Sequence, residues 1–264
     1  MKNVAGYDLC KMLIGSEGSL AIITQATLKV LPHPHSAGAV WVPLAALGDS
    51  EAVLASLVTT QTRPVAVEVW NRTAVDECLT EVTNVVTGPE GFVCIAFEGG
   101  DREVRWQTTK LSEELRQLRI DCESRLRSEA TETLWADLNS FQNHRLPPQF
   151  KLSVRPSRIV EVLVKGTRLG FSLATHAGSG IGWGKAAELV SPSDFADRLS
   201  EFRQFVENLQ GHLCWLGGSA VEGNPPAGTP LPAGTELLLH KLKRQLDPDG
   251  ILLPGCPAIS SRTP

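Results

Sequence analysis

The spacing of apolar residues changes period several times along the chain, and each change predicts an element. Leu9, Met12 and Leu13 recur at helical spacing behind Asp8, whose short carboxylate suits a helix N-cap. A short helix is expected there, with Gly15 placed to end it in a left-handed conformation. Leu20, Ile22 and Ile23, continued by Ala26, Leu28 and Val30 on alternate positions, predict a buried strand. The run LPHPHSAG then breaks the pattern, and its prolines and glycine mark a junction between a first segment, 1–34, and a second domain, 35–256, with 257–264 as a tail.

Beyond the junction, strand and helix patterns alternate. GAVWVPL reads as a strand, GDSEAVLASLVTTQ as a helix capped near Asp49 or Ser50, and PVAVEVWN as a strand. Thr73 to Val85 is helical in pattern, GFVCIAFEG is a β-rich run, and DREVRWQTTKLSEELRQL is a long charged amphipathic helix. After the less regular ETLWADLNSFQNHRLPPQ the order recurs. FKLSVRP is a strand, a helix starts at Ser157, GFSLATHAGSGIGWG is a strand, SPSDFADRLSEFRQFVENLQ a helix and HLCWLGG a strand. The recurrence predicts an α+β protein: an antiparallel sheet with helices packed on one face, in a duplicated ferredoxin-like arrangement. TELLLHKLKRQLDPDGILLPG predicts a last amphipathic helix, ended by Pro248 and Gly250.

Composition narrows the function classes. Formal net charge is −4 with both signs interspersed, so there is no basic stripe for nucleic acid or an anionic membrane surface. No apolar run is long enough for a transmembrane segment and no signal peptide is visible, so a cytoplasmic protein is expected. The cysteines stand singly without a CxxC pair, and His33, His35, His144, His176, His212 and His240 show no ligand spacing. No metal site is expected. Trp41, Trp70, Trp135 and Trp215 fall in element patterns and are expected in the core.

The segment that invites a chemical reading is GSEGSLAIIT. Two glycines flanking Glu17 fit either a tight turn or a backbone approached closely by something bulky. On residues alone, Gly-Ser-x-Gly before a strand is a simple turn. The wider stretch GYDLCKMLIGSEGSLAIIT resembles the FAD-linked oxidases of the vanillyl-alcohol-oxidase type, also called the PCMH type. Their pattern runs GYDL, a few apolar positions, GSxGTLGIIT and a strand ending in LP. LKRQLDPDGILLPG resembles the end of that family's C-terminal cap domain. With MKNVAGYDL added, the chain resembles most the FAD-binding subunits of bacterial glycolate oxidases, and the middle agrees in element order.

The resemblance implies that 1–34 is the C-terminal part of the FAD-binding domain, a remnant of its second subdomain, followed by a ferredoxin-like cap. It implies FAD as cofactor, contacted by Gly6, Tyr7, Gly15, Ser16, Glu17, Gly18, Ser19, Ile22 and Ile23. Ser19 stands where threonine is usual and Ala21 where glycine is usual. Family members carry a further pyrophosphate-binding subdomain upstream, and Met1 matches an internal position, so the chain is expected to be N-terminally truncated and to bind flavin poorly alone. Members that oxidise 2-hydroxy acids carry an HxGDGNxH-like metal site and a GEHG-like motif. Here HAGSGIGWG keeps His176 but has Ser179, Ile181 and Trp183 at the other positions, and Gly223 follows Glu222 where histidine is needed.

No catalytic residue is therefore assigned to this chain. His176 reads as a hydrogen-bonded structural histidine or as a substrate or flavin contact. The implied role is the FAD-binding subunit of a glycolate-oxidase-like complex that oxidises a 2-hydroxy acid to a 2-oxo acid with electrons passing through FAD. Its implied partners are a catalytic flavoprotein subunit and an iron–sulfur subunit. The alternatives are a non-catalytic assembly subunit and a remnant without flavin.

Overall fold

The computed structural model describes residues 8–16, 18–30, 32–78, 88–126, 141, 149–186, 191–216 and 233–252. They fall into two compact units, one built from 1–31 with 227–264 and the other from 32–226.

In the larger unit, β1 (Ser36–Leu44), α2 (Ser50–Thr59), β2 (Ala66–Asn71), α3 (Arg72–Cys78), β3 (Gly91–Gly99), α4 (Asp101–Gln117) and β4 (Glu123–Leu126) make a first half. A second half follows with β5 (Phe150–Ser153), α5 (Ile159–Arg168), β6 (Phe171–His176), β7 (Ile181–Ala186), α6 (Pro192–Asn208) and β8 (His212–Trp215). The eight strands form one sheet in the order β4-β1-β3-β2-β6-β7-β5-β8, and every registered pair is antiparallel. Numbered within its half, each half has the order 4-1-3-2, the ferredoxin-like order, and the halves join through their second strands. The duplicated α+β arrangement expected from the sequence is thus present. The seam is short: Glu68 faces His176, Val69 faces Thr175 and Trp70 faces Ala174.

Alternation along the strands buries both faces, each against a different partner. Val40, Val42, Val69, Val93, Ile95, Phe171 and Leu173 face a core completed by α2, α4, α5 and α6. Ala39, Trp41, Trp70, Phe92, Cys94 and Ala174 face the other way and pack with Ala74 and Val75 of α3 and with Phe141. The expectation of helices on one face therefore holds for four of them and fails for α3.

Three further sequence expectations change. GFSLATHAGSGIGWG is not one strand but the β6–β7 hairpin, turned at 177–180, where Gly180 adopts a positive φ. β4 has no counterpart in the sequence reading; its sequence, ESRL, is charged and short because it is an edge strand. The helix expected over Thr73–Val85 is seen as α3 from Arg72 to Cys78, and its remainder lies outside the described residues. Trp41 and Trp70 are in the core as expected, whereas Trp135 and the Trp215 side chain lie outside the described residues.

The smaller unit contains α1 (Leu9–Leu13) and α7 (Ala233–Leu246). Asp8 caps α1 by accepting from the Lys11 amide, and Gly15 follows at φ +85°, both as the sequence suggested. The buried strand expected from Leu20 to Val30 is absent. The segment is irregular, and Ile22, Ile23, Leu28 and Val30 are 72%, 59%, 81% and 84% exposed. Alternating apolar residues specify a strand only where a neighbouring strand accepts its ladder, and no described strand pairs with this segment.

Candidate functional site

Two places on the chain gather polar groups, one in each unit. In the smaller unit, the turn after α1 is shaped by two glycines at φ +85° and +78°, Gly15 and Gly18, a conformation that side chains rarely adopt. A methyl group at either position would meet nothing within 4 Å, so the left-handed backbone rather than a close neighbour is what favours glycine there. The turn closes on itself: the Ser16 amide donates to the Leu13 carbonyl at 3.2 Å, and the Ser19 amide and hydroxyl both donate to the Ser16 carbonyl, at 2.8 and 2.6 Å. The amides of Gly18 and Leu20 donate to nothing among the described residues, although Leu20 is only 4% exposed. A buried amide without an acceptor carries a desolvation cost, and a bound anion removes it.

This turn is fastened to α7. Lys243 donates to the Ser19 carbonyl at 2.8 Å, to the Leu252 carbonyl at 2.7 Å and to the Asp247 carboxylate. Asp247 in turn accepts from the amides of Ile251 and Leu252 at 2.9 and 2.8 Å. The Lys243 hydrogen bond, with help from the two amides, holds the Asp247 carboxyl below the ordinary aspartate range against the opposing effect of burial.

Of the residues expected to contact cofactor, Gly15, Ser16, Gly18 and Ser19 are brought together in this turn. Ser19 is buried and turned inward, and Ile22 and Ile23 stand out from the segment that leaves it. Gly6, Tyr7 and Glu17 lie outside the described residues, as do Glu222 and Gly223.

In the larger unit the seam carries a carboxylate–imidazole pair. Glu68 is buried in the centre of the sheet, and its carboxylate holds Nδ1 of the half-exposed His176. The imidazole stands edge-on to Trp183 with ring centroids 4.7 Å apart, and a cleft of about 410 Å³ opens beside it, lined by Pro64, Val65, Val67, Glu68, His176 and Ser179. Cys94 neighbours Glu68 in register; burial first, and the Glu68 charge second, push its thiol well above the ordinary range. Nearby, the buried Lys185 pairs with Glu77 at 2.6 Å, while Glu77 also accepts from the Ser172 hydroxyl at 2.5 Å. Among the described residues, no group of three or more His, Cys, Asp or Glu could hold a metal ion.

The sequence reading missed Glu68 and the Lys243 clamp. Each had a signal: a lone carboxylate inside PVAVEVWN, and a lysine four residues before an aspartate at helical spacing. What the sequence lacked was their partners, since His176 lies 108 residues from Glu68 and Ser19 lies 224 from Lys243.

The sequence matches no protein-family model. It is 26% identical, along 97% of its length, to a D-lactate dehydrogenase of Archaeoglobus fulgidus, of which it spans 59%. Over 36 residues it is 53% identical to the glycolate oxidase subunit GlcE of Escherichia coli, a match covering 14% of this chain and 10% of that protein. Over 35 residues it is 51% identical to the glycolate oxidase subunit GlcD of Bacillus subtilis, covering 13% and 7%. Among solved structures, p-cresol methylhydroxylase with substrate bound superimposes with a TM-score of 0.58 at 13% identity, over 87% of this chain and 54% of that one. An alkyldihydroxyacetonephosphate synthase gives 0.54 at 13% identity, over 96% and 50%.

The fold is that of p-cresol methylhydroxylase and the alkyldihydroxyacetonephosphate synthase over the parts that this chain covers. The resemblance read from the two ends of the sequence thus extends through the sheet between them. The chain spans about half the length of p-cresol methylhydroxylase and the alkyldihydroxyacetonephosphate synthase, and 59% of the A. fulgidus D-lactate dehydrogenase. Among the described residues, no helix is long and apolar enough to cross a membrane.

Proposed function

We propose that this chain is the FAD-binding subunit of a 2-hydroxy-acid-oxidising complex of the glycolate oxidase type. The alignment along 97% of the chain with a D-lactate dehydrogenase carries this reading, because it takes in both the glycine turn and the sheet. FAD supplies a two-electron acceptor, so that a 2-hydroxy acid loses a hydride from its α-carbon and a proton from its hydroxyl to become a 2-oxo acid.

The turn fits a phosphate-bearing dinucleotide. Gly15 and Gly18 leave the approach open, and the amide of the buried Leu20 has no acceptor among the described residues. The exposed Ile22 and Ile23 would line the apolar part of the ligand. The hydroxyl proton needs a base set beside the substrate. His176, held by Glu68 through Nδ1, stands alone for that task, because its hairpin presents Ile181 and Trp183 rather than a second imidazole or an acid. Substrate chemistry is accordingly given to a catalytic flavoprotein partner, with an iron–sulfur subunit to carry electrons onward. The E. coli and B. subtilis relatives are both named as subunits, which supports an assembly.

The test is to co-express the full chain with a GlcD-like subunit and measure flavin per complex. The proposal expects more flavin in the complex than in the partner alone, and bleaching of the added flavin by glycolate or D-lactate. A complex that forms with the partner's flavin alone would support an assembly subunit instead. That second reading is favoured by Ser19, whose amide and hydroxyl are both spent within the turn.

A further inference from the structure

The glycine turn is held from outside by one side chain, and the way it is held bears on what it presents. Lys243 has three N–H donors and three acceptors: the carbonyls of Ser19 and Leu252 and the carboxylate of Asp247. Its ammonium is mostly buried and neutralised by Asp247, so it is a poor long-range attractor of anions. Its geometric effect is stronger. The Ser19 carbonyl and the Leu20 N–H belong to one planar peptide unit, and in a trans peptide the two point in opposite directions. A lysine gripping the oxygen therefore turns the N–H away from α7.

That N–H is the buried amide with no acceptor among the described residues. The grip is itself anchored, because Asp247 accepts from Ile251 and Leu252 while the Leu252 carbonyl accepts from Lys243, closing a ring at the end of α7.

We infer that Lys243 is a positioning residue: it fixes the Ser19–Leu20 peptide so that the Leu20 amide donates to the pyrophosphate of the bound dinucleotide. The inference rests on the flavin reading above. It adds that the C-terminal helix sets the affinity for the phosphate portion of the ligand without touching it.

The experiment compares FAD with riboflavin, which lacks phosphates, on the full chain and on Lys243→Met, Lys243→Arg and Asp247→Asn. Affinities are read by quenching of flavin fluorescence, and amide hydrogen exchange of the 16–20 segment is read without flavin. Losing a charged hydrogen bond to the carbonyl is expected to weaken FAD by about tenfold in Lys243→Met and to accelerate exchange at Ser19 and Leu20. Riboflavin affinity should stay unchanged. Lys243→Arg keeps the charge and the donors and should recover most of the FAD affinity, while Asp247→Asn should follow Lys243→Met in direction.

Unchanged FAD affinity in Lys243→Met overturns the inference and leaves the flavin reading standing. An equal loss for riboflavin also overturns it, since that marks a merely structural lysine. A parent chain that binds neither flavin, alone or in its complex, removes the flavin reading itself.

Discussion

Replacing Gly18 by alanine separates a backbone cost from a ligand cost. Gly18 sits at φ +78° with nothing within 4 Å of where a Cβ would stand. The methyl group therefore meets no protein atom, and the free chain is charged only the strain of a left-handed L-residue, about 1 kcal/mol. Gly250 is a matched control, because it lies in the same unit at φ +64° and is equally open. The strain is common to free and bound protein, so it cancels from affinity unless the free turn relaxes, and full relaxation weakens binding by about fivefold. A ligand packed on the bare Cα adds an overpacking cost of about 1–3 kcal/mol, which is about fivefold to 150-fold.

Gly18→Ala is accordingly expected to lower FAD affinity at least about fivefold more than Gly250→Ala does, in a fluorescence titration of the full chain or its complex. All six tryptophans lie in the larger unit, so their emission should be identical in both variants and shows that the sheet is intact. Equal affinities for the two variants would refute the placement of the ligand on the turn.

Asn71 joins the halves: its amide donates to the Thr167 hydroxyl at 2.8 Å and the Phe171 carbonyl at 2.7 Å, and its oxygen accepts from Leu173 and Ala74. Asn71→Asp sets a buried carboxylate against two acceptors and should cost about 3 kcal/mol in urea unfolding; a loss under about 1 kcal/mol would contradict the network. Thiol labelling of the native chain should modify the exposed Cys10 and Cys214 well before Cys94, whose thiol is buried and held protonated; simultaneous loss of all three would contradict the burial. Asp247 is more acidic folded than unfolded, so its contribution is fully present above the ordinary aspartate range and is lost as pH falls through its depressed value. The stability gap between parent and Asp247→Asn should therefore narrow below about pH 4 in acid unfolding, and a gap independent of pH would count against the ion pair with Lys243.

How far the sequence could be read depended on how local the cause was. The Asp8 cap, the Gly15 stop and the strands β1, β2 and β3 follow from short-range pattern and were legible. The strand over Leu20–Val30 was misread because its alternation is real while its ladder partner is missing from the described residues. The β6–β7 hairpin was misread because Gly178 and Gly180 sit inside an otherwise apolar run, and β4 was overlooked because an edge position tolerates Glu123 and Arg125. The glycine turn was found from its composition and from the resemblance. Its fastening by Lys243 was out of reach, as was the Glu68–His176 pair, because both are set by contacts between distant parts of the chain.

Among the described residues, joining through the second strands leaves β4 and β8 as the outer borders of the sheet, each four residues long. Such stubs give another chain little backbone to zip onto, and β4 adds the Glu123–Arg125 pair across its rim. Any companion this protein recruits should come to rest on side chains rather than extend the ladder.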